Sequence, residues 1–117
     1  MDKTIIQFHY VNWPDLGIPD SNVFDKLLEA IEEHHSSTKP FITHCSAGIG
    51  RTGTFIATHS VRNKIRLKLN EGMDKENISV NLVKDILTMR MQRMELVQTK
   101  EQLSAVKKAI FRYQQAL

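Results

Sequence analysis

The feature that most constrains this chain is the run His44-Cys45-Ser46-Ala47-Gly48-Ile49-Gly50-Arg51-Thr52-Gly53. A short apolar segment, Phe41-Ile42-Thr43, precedes it and reads as a strand. Phe55, Ile56, His59 and Ile65 follow at spacings that read as a helix beginning near Thr52. A Gly-rich turn between a strand and a helix points its backbone N–H groups inward, where they meet the helix N-terminus. Together they make an anion cradle of about phosphate size. The cradle runs through Ser46, Ala47, Gly48, Ile49, Gly50 and Arg51. Cys45 opens it, so the same amides and helix dipole favour the thiolate and are expected to hold the thiol pKa well below the usual ~8.5. Arg51 closes it and can grip two phosphoryl oxygens in a fork. Thr52 adds a hydroxyl that can stabilise the sulfur. A thiolate beneath a bound phosphate is a nucleophile aimed at phosphorus.

Three rival readings are weaker. A lone Cys is commonly an inert buried thiol. Here the spacing His-Cys-x-x-Gly-x-x-Arg-(Ser/Thr)-Gly arises by chance on the order of 10⁻⁸ per starting position at average composition. Gly48-x-Gly50-x-x-Gly53 formally matches a dinucleotide fingerprint, but no strand ending in an acidic residue follows at ~20 residues. A metal site on His44, Cys45 and the His34-His35 pair lacks any fixed ligand pattern.

The rest of the chain frames this run. Thr4 to Asn12 alternates, with Ile6, Phe8 and Tyr10 on one side, as a half-buried strand does. Trp13 to Asp20 holds two Pro and one Gly in eight residues and reads as a loop. Ser21 is placed to cap a helix with the stripe Phe24, Leu27, Leu28 and Ile31. Asn70-Glu71-Gly72 stops the helix that follows the Gly-rich run. Ser79 opens a third helix, with Val83, Ile86, Leu87 and Arg90 on its stripe. Thr99-Lys100-Glu101-Gln102 matches a capping box, and Leu103, Val106, Ile110 and Tyr113 carry the last helix. The fold class expected is therefore α/β, with two recognisable strands and four helices. Two strands do not make a self-sufficient sheet.

Charge is uneven. Residues 1–50 hold 3 Lys/Arg against 7 Asp/Glu, and residues 51–117 hold 13 against 6. A basic half suits an anionic partner or simply solvated helix faces. With 7% aromatic residues and no block of five like charges, nothing suggests a nucleic-acid platform. No apolar run approaches the ~18 residues of a membrane span, and no leader pattern opens the chain. The single cysteine fits a reducing compartment, so the expected location is cytoplasmic.

Taken together, the motifs resemble those of the phosphotyrosine-specific protein tyrosine phosphatases. His44 to Gly53 is similar to that family's signature. Trp13-Pro14-Asp15 resembles its general-acid loop, and Met94 to Gln102, centred on Val97-Gln98-Thr99, resembles its glutamine loop. The three occur in the family's order and cover nearly the whole chain. The resemblance implies that Cys45 attacks phosphorus to form a cysteinyl-phosphate, with Arg51 and the cradle amides holding the phosphoryl oxygens. It implies that Asp15 protonates the leaving phenolate and then acts as base toward water, which Gln98 orients. His44 is implied to support Cys45, Trp13 to anchor the acid loop and Pro14 to stiffen it. Gln102 has two readings, an assistant to Gln98 or simply a helix cap. Arg90 and Arg93 are candidates for a secondary phosphate contact. No metal or other cofactor is implied, because Arg51 and the amides supply the positive charge. The implied partner is a phosphotyrosine-containing protein.

Two departures accompany the resemblance. Glu95 stands where the family often has a small residue, and a long carboxylate there would narrow the cleft. Family catalytic domains are also more than twice this length. Residues 1–117 are thus expected to be a phosphatase catalytic domain lacking its N-terminal half, which holds other strands and the phosphotyrosine-recognition loop. The alternative is a catalytically impaired, phosphoprotein-binding module.

Overall fold

The structure is a computed structural model that describes residues 5–14, 17–34, 40–45, 50–93 and 96–117. Its frame is four α-helices: α1 Ser21–His34, α2 Gly50–Asn70, α3 Leu82–Gln92 and α4 Lys100–Ala116. A short 3₁₀ turn at Lys75–Asn77 joins α2 to α3.

Local chemistry accounts for the helix ends. Asp20, not Ser21, caps α1: its Oδ1 accepts from the N–H groups of Asn22 and Val23, each at 3.1 Å. α2 closes on Gly72, whose φ of +94° is open to a residue without Cβ. The Gly72 N–H donates to the Leu69 carbonyl at 3.0 Å and the Met73 N–H to Lys68 at 3.1 Å. The expected stop at Asn70-Glu71-Gly72 is therefore where the helix ends. α3 starts later than Ser79 suggests, because Asn81 accepts from the Lys84 N–H at 3.1 Å. Thr99 and Gln102 form the capping box of α4 as expected.

The expected α/β class is not what the structure has. Among the described residues there is no strand, and the frame is helical. Residues 5–12 and 41–43 carry no regular structure. Ile6 is 59% exposed and Ile42 93% exposed. The alternation at residues 6–10 marks which side chains could be buried, but a strand needs a ladder, and among the described residues none forms.

The core lies where α2 and α4 pack. Ala57, Val61 and Ile65 on α2 meet Val106 and Ile110 on α4, joined by Ile78, Ile86 and Val97. Along α2 the buried hydroxyls of Thr54 and Thr58 donate to the carbonyls of Gly50 and Thr54, at 2.8 and 2.9 Å. Of the expected α3 stripe only Ile86 is buried, whereas Val83 and Leu87 face solvent. A second cluster sets Trp13, Phe24, Leu28, Phe55 and Ala109 together, which seats α1 beside the segment that carries Trp13. No described helix is long and apolar enough to cross a membrane.

Forked ion pairs fasten α1. Arg62 of α2 donates to both oxygens of Glu32, at 2.8 and 3.1 Å, while its guanidinium lies 4.2 Å over the Tyr113 ring. Arg112 of α4 grips Asp25 in the same way, at 2.8 and 2.9 Å. The Arg62–Glu32 pair is largely buried, whereas Lys64 in the Lys64–Asp85 pair is exposed. Removing one partner of a buried pair strands the other charge. Glu32→Ala is accordingly expected to lower the unfolding free energy by about 3 kcal/mol, and Asp85→Ala by less than ~1 kcal/mol. Urea titration of both variants checks the contrast.

Candidate active site

Cys45, the chain's one cysteine, is half-buried just before the residues that lead into α2. Thr52, in the first turn of α2, donates its hydroxyl to the Cys45 sulfur at 3.0 Å. A donor aimed at sulfur favours the ionised form, which accepts better than the thiol. Arg51 lies in the same helical turn. Its Nη1 donates to the Trp13 carbonyl at 3.0 Å, linking the expected phosphate grip to the expected acid segment. His44 is exposed.

The acid segment is stapled at its described ends. Trp13 is buried, with its ring edge-on to Phe24 at 5.4 Å and to Tyr10 at 5.6 Å. Its indole N–H donates to the Gly17 carbonyl at 2.9 Å, and the Gly17 N–H donates to the Pro14 carbonyl at 3.0 Å. Asp15 lies outside the described residues, as do Ser46, Ala47, Gly48, Ile49 and Glu95.

The third segment reaches the same place through backbone contact. A Cβ on Gly53 would lie 2.5 Å from the Val97 nitrogen and 3.0 Å from Leu96 backbone atoms. Glycine is what lets α2 approach this closely. Val97 has φ +62°, a left-handed conformation costly for a β-branched residue. Arg90 braces it, donating from Nε to the Leu96 carbonyl at 2.9 Å and from Nη2 to the Val97 carbonyl at 2.7 Å. Arg90 reads in sequence as a helix-face residue and a candidate for a secondary phosphate contact; these two bonds turn its guanidinium to the backbone of the segment before Gln98. Arg93 is exposed and ends α3.

This geometry sets Gln98 across the start of α2. Its Oε1 lies 2.8 Å from the position that a Cβ on Gly50 would take. Gln102 is fully buried. Its Oε1 accepts from the N–H groups of Gln98 at 2.8 Å and Thr99 at 3.3 Å, while its Nε2 donates to the Gly17 carbonyl at 3.2 Å. Described parts of all three motifs are thus brought together: Cys45, Arg51 and Thr52 with Trp13 and Gly17, and with Gln98 and Gln102. Sequence reading missed Gly17 and the bracing by Arg90. Neither carries a motif letter, although Gly17 stands only two residues after Asp15.

Comparison with known proteins points the same way. Residues 1–112 match the family model described as protein-tyrosine phosphatase. Tyrosine-protein phosphatase 2 of Dictyostelium discoideum is 39% identical over 100 residues, covering 86% of this chain and 26% of the relative. Tyrosine-protein phosphatase non-receptor type 12 of Homo sapiens is 41% identical over 115 residues, 92% of this chain and 13% of that protein. Tyrosine-protein phosphatase non-receptor type 2 of Rattus norvegicus is 40% identical over 105 residues, 86% and 23% respectively. The chain spans about a quarter or less of the length of these relatives.

The two α2 glycines are expected to behave differently. Gly53→Ala drives a methyl into Val97 backbone and should cost about 3 kcal/mol, at the upper end of overpacking. For Gly50→Ala the nearest atoms are side-chain ends, those of Gln98 and Gln102. That substitution should cost less stability while displacing the Gln98 side chain. Thermal melts of the two variants, side by side, test this ordering.

Proposed function

The chain belongs to the protein-tyrosine phosphatase family, and from that premise we propose that it hydrolyses phosphotyrosine in proteins through a cysteinyl-phosphate. The observation that carries this reading is the 3.0 Å hydrogen bond from Thr52 to the Cys45 sulfur, one residue from a guanidinium. The Cys45 thiolate attacks phosphorus as the bond to the phenolic oxygen breaks, and Asp15 supplies the proton that the leaving phenolate takes up. Arg51 and the amides of Ser46 to Gly50 hold the phosphoryl oxygens through the transition state. Asp15, now ionised, then takes a proton from a water that Gln98 orients. That water displaces the sulfur, releasing inorganic phosphate and restoring the thiolate. Thr52 stabilises sulfur as nucleophile in the first step and as leaving group in the second. His44, Trp13 and Pro14 support this machinery, with no metal or cofactor taking part. On this reading residues 1–117 are the part of the family's catalytic domain that carries nucleophile, acid and glutamine. A cytoplasmic location is part of this reading, in keeping with the lone thiol.

One observation favours a second reading, a phosphoprotein-binding module that does not turn over. The described residues form no strand, and Ile5, Ile6, Val11 and Ile42 are exposed, so helices are the regular elements beside the site among the described residues. A single assay separates the two. The chain is expected to hydrolyse an aryl phosphate, with turnover abolished in Cys45→Ser. Asp15→Ala should slow turnover by about 10²–10⁴-fold while phosphopeptide binding persists. Phosphopeptide binding without hydrolysis by the unaltered chain would favour the module instead.

A further inference from the structure

We propose that Gln102 is a positioning residue that ties the segment carrying Asp15 to the segment carrying Gln98, an inference that rests on the phosphatase reading above. The Gln102 side chain is fully buried, and both ends of its amide are used. The oxygen serves the capping box by accepting from the Gln98 and Thr99 N–H groups. A cap needs nothing more from that side chain. The nitrogen nonetheless donates to the Gly17 carbonyl, 85 residues away in sequence. That carbonyl also accepts the Trp13 indole N–H, so Gly17 is held by two donors at once. The same amide lies 3.0 to 3.1 Å from where a Gly50 Cβ would be, against the first residue of α2. One buried amide of the glutamine segment therefore bonds Gly17, just past the Trp13-Pro14-Asp15 motif, and lies beside Gly50 of the signature run.

An amide is suited to this place because it accepts at one end and donates at the other in fixed opposite directions. Glutamate would keep the acceptor for the cap but set a second acceptor against the Gly17 carbonyl. Breaking the tie leaves the partly buried Gly17 carbonyl with one donor instead of two and frees the Gly17 segment from the glutamine segment.

Gln102→Glu tests this, with Thr99→Ala as a control that weakens the cap without touching Gly17. Trp13 is the chain's only tryptophan, so its fluorescence reports the Gly17 staple directly. Gln102→Glu is expected to shift Trp13 emission. It should also lower turnover of aryl phosphates with poor leaving groups about tenfold more than those with good ones, which need little help from an acid. Thr99→Ala should lower the melting temperature and leave Trp13 emission unchanged. Wild-type emission and leaving-group dependence in Gln102→Glu would overturn the proposal. If that variant does not fold, Gln102→Met, of similar length but without either polar end, decides by the same readouts. If the unaltered chain hydrolyses no aryl phosphate, the phosphatase reading fails, while Trp13 emission still decides whether the tie exists.

Discussion

Everything about the site follows from how closely the first turn of α2 approaches the backbone of Leu96 and Val97. There is no room for a side chain at Gly53, and the facing residue adopts a conformation that β-branched residues avoid. Strain of that kind costs about 1–3 kcal/mol and persists only where neighbours enforce it. Here the enforcement comes from the two Arg90 hydrogen bonds and from the buried packing of Val97 against α2 and α4. With that contact made, Gln98 and Gln102 arrive at Gly50, where α2 begins.

α1 supplies the complementary constraint. It follows the Trp13–Gly17 segment directly in sequence, so whatever fixes α1 also limits where that segment can go. Phe24 takes the edge of the Trp13 ring, and the forks from Arg62 and Arg112 hold the helix to α2 and α4. The Tyr113 ring beneath Arg62 completes this joint, and burial pushes its hydroxyl above the ordinary phenol value. The segment that carries Trp13 and Gly17 is thus located against α2 and α4 by helix packing.

Much of this was legible in the residues, and what was not has physical reasons. The capping box at Thr99 and Gln102 and the stop at Gly72 were readable because caps are local, set by a few adjacent side chains. Cys45, Arg51 and Thr52 stood out because their chemistry requires fixed spacing. The strands at residues 4–12 and 41–43 were misread because alternation encodes amphipathicity and says nothing of a pairing partner. Ser79 reads as opening α3, whereas Asn81 caps it, because Ser and Asn both serve as caps and residue type alone does not choose between positions. The second use of Gln102 and the bracing by Arg90 depend on contacts between distant segments, which no local pattern records.

The exposed Ile5, Ile6, Val11 and Ile42 have a consequence for how such a chain fares at high concentration. Apolar side chains in segments without regular structure, outside the helical core, are the features that chaperones and proteases survey. A firm α2–α4 centre does not hide Ile5, Ile6, Val11 and Ile42 from such surveillance.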